Sequence, residues 1–468
     1  MSLLKRIDRS FLRGLAASLA IRPDEYADLF LEEARQVSVE RAAGAEGPVT
    51  VGAGAGAAAR LVGRERVLHA STGSLESEAI EALAGGLRSS GGEVRAVAAR
   101  SDEGKAEAGG APEETVRTAR AIGRYLEEVE AAALQAAEDR PVAWAGRGEA
   151  RSQAILVATS EGEVAEDRRD WVSFTARLAG GRRGGETPTV SEGGGARDID
   201  RLRALHPPAG VGARLAASLR EQRDATPPPS GEMTVVLAPG PGGIFFHEAC
   251  GHALEGDRAL KGRSLLVDLL GEEIGPRDLT LVDDPTLPGL PGSRRVDDEG
   301  WPASRTVLID SGRVVGLLLD RATALLAETA PTGSARRESY RDLPLPRMTN
   351  TFVLAGAHPP EEILASVMRG LYVAELGGGE VDTVTADFSF RIRRGYLIAG
   401  GRLVAPLLPS VVAGNGLTAL RGIRMIGNDL KFDPGAGECG KEGQRVRAGV
   451  GQPTIKVEGL AVRRAAAA

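Results

Sequence analysis

The sequence predicts an α+β protein. A mixed α/β N-terminal domain over 1–223 and a proline-rich linker over 224–232 precede a C-terminal, mainly antiparallel β domain over 233–468, its sheet curled toward a barrel. Three observations carry this. In the first half the apolar residues switch between helical and alternating spacing. The run Asp224-Ala225-Thr226-Pro227-Pro228-Pro229-Ser230-Gly231 is stiff polyproline between two patterned regions. Beyond it, short alternating segments recur with turn signals between them. At 468 residues the chain also exceeds what one hydrophobic core usually supports.

Residues 10–20 have amphipathic spacing, with Lys5, Arg6 and Arg9 before them and Arg13 interrupting the apolar run, which predicts a helix and not a signal peptide. Residues 26–31 and 37–41 alternate as strand. The glycine-dominated stretch 44–56 reads as a turn, and 57–68 as the next strand. Thr72-Gly73-Ser74-Leu75-Glu76 offers a cap for a helix over 76–87. Residues 101–112 read as a surface loop, and 114–138 as a long helix with Val116, Ile122, Leu126, Val129 and Leu134 on one face. Residues 154–159 and 171–178 form a hairpin extending the first sheet, 180–195 a flexible loop and 211–222 a closing helix.

In the second half, 233–238 is a buried strand leading through Pro239-Gly240-Pro241-Gly242-Gly243 into a helix. Strands follow at 279–283, 306–309, 314–319, 353–355, 372–376, 388–393, 395–399 and 402–406, with hairpin turns at Asp310-Ser311-Gly312 and Ala399-Gly400-Gly401. A helix over 360–370 and a final strand over 454–462 complete the domain, whose sheet is of the barrel-like kind.

Composition narrows the function. The net charge of -6 is dispersed, which excludes the basic stripe that nucleic acid requires. Paired arginines such as Arg336-Arg337 and Arg393-Arg394 read as solvated faces or carboxylate partners. Two cysteines make no disulfide framework and suit a reducing compartment, so a cytoplasmic location is expected. No run is long enough for a membrane span.

The helix that opens the second half concentrates the chemistry. Within Gly242-Gly243-Ile244-Phe245-Phe246-His247-Glu248-Ala249-Cys250-Gly251-His252-Ala253-Leu254-Glu255-Gly256-Asp257 lie two of the chain's five histidines, one of its cysteines and three carboxylates. A His-Glu pair followed by a second His is the pattern by which a zinc peptidase supplies two imidazole ligands and a general base. The spacing here is H-E-x-x-x-H, one residue longer than usual. On a regular helix, residues five apart are rotated by roughly 140° and do not converge on one ion. A π-bulge within Ala249-Cys250-Gly251 would bring them back to one side, and Gly251 makes such a distortion cheap.

A third ligand is needed, and Glu255, Cys250 and Cys439 are the candidates. Cys250 should point away from the face shared by the imidazoles and behave as a small buried apolar residue. Cys439 lies in the Gly-rich loop Gly437-Glu438-Cys439-Gly440-Lys441-Glu442-Gly443-Gln444, where Lys441 would favour the thiolate, and is the stronger candidate. Glu255 or Asp257 could orient an imidazole from behind. Arg347 and Asn350 precede a strand and could hold substrate or a subunit partner. His69, His206 and His358 lie outside any constellation and read as structural.

This helix and the loop around Cys439 resemble the TldD/PmbA family of metallopeptidases. Further segments agree: Val296-Asp297-Asp298-Glu299-Gly300, Arg305-Thr306-Val307-Leu308-Ile309, Arg347-Met348-Thr349-Asn350-Thr351, Asp387-Phe388-Ser389-Phe390 and Val450-Gly451-Gln452-Pro453-Thr454. The resemblance is dense over 239–457. Earlier it rests on Ala58-Ala59-Arg60-Leu61-Val62 and His69-Ala70-Ser71-Thr72. It implies His247, His252 and Cys439 as ligands of Zn2+ and Glu248 as the catalytic base, in the branch that keeps the zinc motif. It further implies hydrolysis of peptide bonds in unstructured polypeptides, and a dimer, either with a zinc-less PmbA/TldE-like homologue or with a second copy. The rival reading is a non-catalytic, zinc-stabilised subunit of a hetero-oligomeric assembly.

Overall fold

The computed structural model describes every residue except 1–2, 21, 23, 65, 90–111, 139–141, 182–186, 263, 436 and 466–468. Six strands of the first half form one antiparallel sheet: β1 (Tyr26–Ala42), β2 (Ala45–Val62), β3 (Val67–Thr72), β4 (Val142–Thr159), β5 (Val164–Gly180) and β6 (Thr189–Ala196), in the spatial order β3-β2-β1-β4-β5-β6. Strand alternation gives this sheet two different faces. Leu29, Leu31, Val37 and Val39 of β1 point to helices. The first two meet Arg9–Ala17 and Ser77–Ser89, and the last two meet Glu113–Ala136 and Pro208–Arg223. Phe30, Ala58 and Val157 point the other way and pack with Tyr340 of the second half.

Two expectations fail here for a common reason. The glycine stretch read as a turn is the first part of β2, with Gly52, Gly54 and Gly56 opposite Gln36, Ala34 and Glu32. Likewise, the end of the expected 180–195 loop is strand β6, paired along β5. Glycine disfavours an isolated strand, but a long ladder with a neighbour overrides that preference. At Gly56 the absence of a side chain is required, because a Cβ would lie 2.5 Å from both Thr72 O and the Tyr340 ring. The predicted loop at 101–112 falls, up to residue 111, outside the described residues.

In the second half five strands close a barrel. Gly231–Leu237 lies between Arg369–Val381, which it pairs in parallel, and Ile455–Arg464. Ser410–Asn415 joins Ile455–Arg464 to Asp387–Ala399, and that strand pairs back to Arg369–Val381. Segments expected as separate strands at 388–393 and 395–399 are one. Residues 314–319 shrink to Arg313–Val314. Instead of a single large sheet there is the barrel plus a second sheet of six short strands, in which Asn350–Val353 and Gly449–Gln452 run parallel. No helix among the described residues is long and apolar enough to cross a membrane.

A buried charge network ties β1 and β2 to the second half. Arg60, 1 % exposed, pairs with Asp28 on the neighbouring strand and with Glu299 at 2.6 Å. Arg337 approaches Asp28 at 3.6 Å. The arginine pair at 336 and 337, expected on a solvated face or beside carboxylates, is buried. The Arg337 guanidinium has the Asp28 carboxylate beside it and donates to the carbonyls of Asp298 and Asp342, whereas Arg336 donates only to backbone carbonyls. Removing one member of such a network strands its partners without solvent. Arg60→Leu is expected to lower stability by about 3–5 kcal/mol, read as a shift in the urea midpoint.

Candidate metal centre

The first barrel strand ends at Leu237, and Gly240 then reverses the chain at φ 88, a left-handed conformation that favours glycine. A short 3-10 turn, Pro241–Gly243, leads into Ile244–Phe246. Phe245 anchors this segment in the barrel, its ring centroid 5.2 Å from that of Phe388 and 6.2 Å from that of Phe390. The next five residues, His247–Gly251, form a π turn. The wider turn takes up the extra residue of the motif, and the two imidazole centroids lie 5.1 Å apart instead of on diverging faces.

Gly251 serves a different purpose from the one expected. Its φ of -58 and ψ of -54 are ordinary right-handed values that any residue adopts. What it supplies is space, because a Cβ there would fall 1.9 Å from Met348 Sδ. Gly251→Ala should cost about 1–3 kcal/mol through overpacking, visible as a lowered Tm.

Cys439 arrives from far along the chain on the hairpin Glu438–Lys441 and Gln444–Arg447, where it pairs with Val446. Its Sγ lies 3.4 Å from His252 Nε2. Ligand atoms of His247, His252 and Cys439 all fall within 4.8 Å of one another, and all three residues are buried. Burial works to raise the Cys439 pKa, but the adjacent His247 and His252 outweigh it and hold the thiol well below its ordinary value. His247 Nδ1 is buried with no hydrogen-bond partner. Cys250 is fully buried in the main core, its thiol pushed up to about 12, and stands outside the cluster.

Behind His252 lies a layer of charges that includes both Glu255 and Asp257. Glu255, 0 % exposed, meets His252 Nδ1 at 2.9 Å. Lys441 Nζ lies 2.9 Å from Glu255 and 2.6 Å from Asp257, and donates to Pro346 O at 2.9 Å. Burial alone would raise the Glu255 pKa, yet His252 and Lys441 bring it down to about 2. Burial would lower His252, and Glu255 with Cys439 carries it up to about 10. Lys441 was expected to favour the thiolate; it instead clamps two carboxylates. The signal was present, since residues two apart on a strand share a face, and Cys439 and Lys441 are the buried pair of Glu438–Lys441.

Glu248 is the half-open member of the group. Its side chain is 26 % exposed, and its Oε2 lies 3.9 Å from His252 Nε2. Arg347 and Asn350, expected to hold substrate or a subunit partner, are both 0 % exposed and bond within the chain. Arg347 donates to Cys439 O at 2.7 Å and braces the hairpin. Asn350 accepts from Gly292 N and donates to Asp284 O, each at 2.9 Å. His69 is buried apart from the cluster, its pKa lowered to about 3 by desolvation and the Arg337 charge.

Comparison with known proteins bears on this arrangement. Residues 230–464 match the PmbA/TldA metallopeptidase C-terminal domain. A metalloprotease TldD homolog of Buchnera aphidicola is 37 % identical over 317 residues, 66 % of this chain and 65 % of that protein. One of Haemophilus influenzae is 42 % identical over 234 residues, 50 % of this chain and 48 % of its own length. A zinc metalloprotease TldD homolog of Saccharolobus solfataricus is 35 % identical over 252 residues, covering 53 % of this chain and 56 % of the relative. The chain thus spans less than two thirds of the length of these relatives. Among solved structures, TldE from Thermococcus kodakarensis superposes with a TM-score of 0.75 at 18 % identity, over 97 % of this chain and 99 % of that one. A candidate DNA gyrase modulator of Thermotoga maritima gives 0.76 at 20 % identity, again over 97 % and 99 %. At such identities the likeness concerns the fold.

The matching family model is named for metallopeptidases, and the relatives for metalloproteases. The chain belongs to the PmbA/TldD family.

Proposed function

We propose that this chain is a zinc peptidase of the TldD-like branch, hydrolysing peptide bonds in unstructured polypeptides. The observation that carries this reading is the meeting of two imidazoles and a low-pKa thiol, with a half-exposed carboxylate beside them. The donor set fits the ion: soft thiolate with imidazole suits zinc, the three ligand atoms lie within 4.8 Å of one another, and His247 Nδ1 is buried without a hydrogen-bond partner. The name of the Saccharolobus relative, which includes zinc, supports the same choice. When bound, the ion supplies Lewis acidity toward a water and the scissile carbonyl.

The chain's own residues supply the rest. Glu248 accepts the proton of the attacking water and returns it to the leaving amine. Glu255 takes the Nδ1 proton of His252 in a hydrogen bond, which fixes the ring and leaves Nε2 facing Cys439. Lys441, itself paired with Asp257, holds Glu255, and Arg347 holds the Cys439 backbone. Glu255→Gln is therefore expected to weaken zinc binding by about 10–100-fold, measured by competition with a chromophoric chelator.

The likeness to a TldE structure supports a heterodimer with a zinc-less homologue, and a homodimer is the other arrangement. A reducing compartment such as the cytoplasm suits a free, reactive Cys439. A closed structural zinc site, as in the non-catalytic reading, would leave Glu248 without a task. The test is to purify the chain alone and with a co-encoded homologue, and measure zinc content and degradation of an unstructured protein. Stoichiometric zinc with no degradation by either preparation would refute the peptidase reading.

A further inference from the structure

A cavity of about 400 Å³, separate from the metal cluster, lies between β4 and β5 of the first half and the 289–298 and 336–338 loops of the second. Eight of its lining residues are arginines and four are carboxylates. Most of the positive charge is paired locally: Arg169 with Asp298 at 2.6 Å, Arg168 with Asp170 at 2.8 Å, Arg447 with Glu149 at 3.2 Å.

Three arginines are not so paired. Among the described residues no ion pair joins Arg151, Arg294 or Arg336 to a carboxylate. Arg151 donates to Glu338 O at 2.7 Å, Arg294 to Gly292 O at 3.1 Å, and Arg336 to the carbonyls of Met348 and Arg447. Arg294 is 8 % exposed, and its Nη1 is buried with no partner. Burial and the neighbouring Arg169 charge push its guanidinium down to about 10, with Asp298, Asp167 and Asp297 opposing from beyond ion-pair distance. A buried cation with an open donor carries a desolvation cost that a bound anion would offset.

The cavity reaches toward the metal centre. Val446, which lines it, is the strand partner of Cys439, and Arg336 donates to Arg447 O on the same hairpin. Its volume exceeds the roughly 30 Å³ share of one water many times over, so a lone oxyanion would not fill it. Trp171, Leu290 and Pro291 give it apolar wall suited to the aliphatic stem of an acidic side chain.

We propose that this cavity is an acidic-side-chain subsite: it binds Glu or Asp residues of the polypeptide substrate, with Arg294 as its central donor. The identity of the ligand as a polypeptide rests on the peptidase reading above. Binding is to be read by fluorescence anisotropy in the zinc-loaded Glu248→Gln protein, which is free of turnover. The probes are an unstructured Glu-rich peptide, its Gln counterpart, and inorganic phosphate as competitor.

The Glu-rich peptide is expected to bind about tenfold tighter, and Arg294→Gln to remove that preference, as fits loss of one charged hydrogen bond. Because Arg294 is buried and its replacement can disturb folding, Arg197→Glu on the exposed rim provides a second variant expected to weaken the Glu-rich peptide. Equal affinity for the two peptides, or a preference for Glu that survives both substitutions, overturns the proposal. So does phosphate binding that depends on Arg294 while the Glu-rich peptide is ignored. Failure of the peptidase reading shows separately, as an absence of cleavage of the Gln peptide by the wild-type chain with zinc and its partner.

Discussion

Glu248→Gln is expected to reduce cleavage of an unstructured test peptide on the order of a thousandfold while leaving bound zinc at its wild-type stoichiometry. The reasoning is positional. Glu248 follows His247 at the start of the π turn, its side chain is 26 % exposed, and its carboxylate stands 3.9 Å from His252 Nε2 without belonging to the cluster of ligand atoms. Gln keeps the size and one acceptor but cannot take a proton. Metal analysis and single-turnover cleavage on the same preparation separate the two effects. Retained zinc with retained cleavage would remove Glu248 from the mechanism.

The second large effect is expected at Cys439. Cys439→Ser nearly conserves volume, so the small cluster it forms with Val446 and Ala448 survives and the fold should hold. Zinc binding should not. The serine hydroxyl is harder and far less acidic than a thiol already held well below its ordinary pKa by His247 and His252. Loss of affinity should exceed the roughly 10–100-fold typical of changes to residues behind the ligands. Equilibrium dialysis against buffered zinc measures it, with circular dichroism confirming the fold. Unchanged zinc affinity would exclude Cys439 as a ligand.

Much of this centre was legible in the residue order. The five-residue spacing of His247 and His252 required a non-standard helix, and the π turn at His247–Gly251 follows from that arithmetic. The burial of Cys250 was likewise readable from helical position, whereas the choice of Glu255 over Asp257 as the partner of His252 was left open. Lys441 and Arg347 were assigned other tasks, because their partners come from distant segments. Nothing local tells Lys441 that Asp257 lies 2.6 Å away, or tells Arg347 that it will be buried beneath the Cys439 hairpin.

The fold divides along the same line. Strand alternation and turn residues sufficed for an α+β chain with a barrel-like second half, because those signals act within a few residues. They failed at Gly44 to Gly56, where glycine's weak strand preference was overruled by the ladder with Tyr26–Ala42 and by the Tyr340 ring pressed against Gly56. They also could not show that Arg294 and Arg336 would lie in one cavity. By itself the sequence determined the chemistry on offer: two imidazoles, a thiol and a carboxylate at a spacing that demands a bulge. Only the tertiary structure decided which distant groups face them, since burial, charge compensation and close approach depend on contacts between segments that share no local pattern.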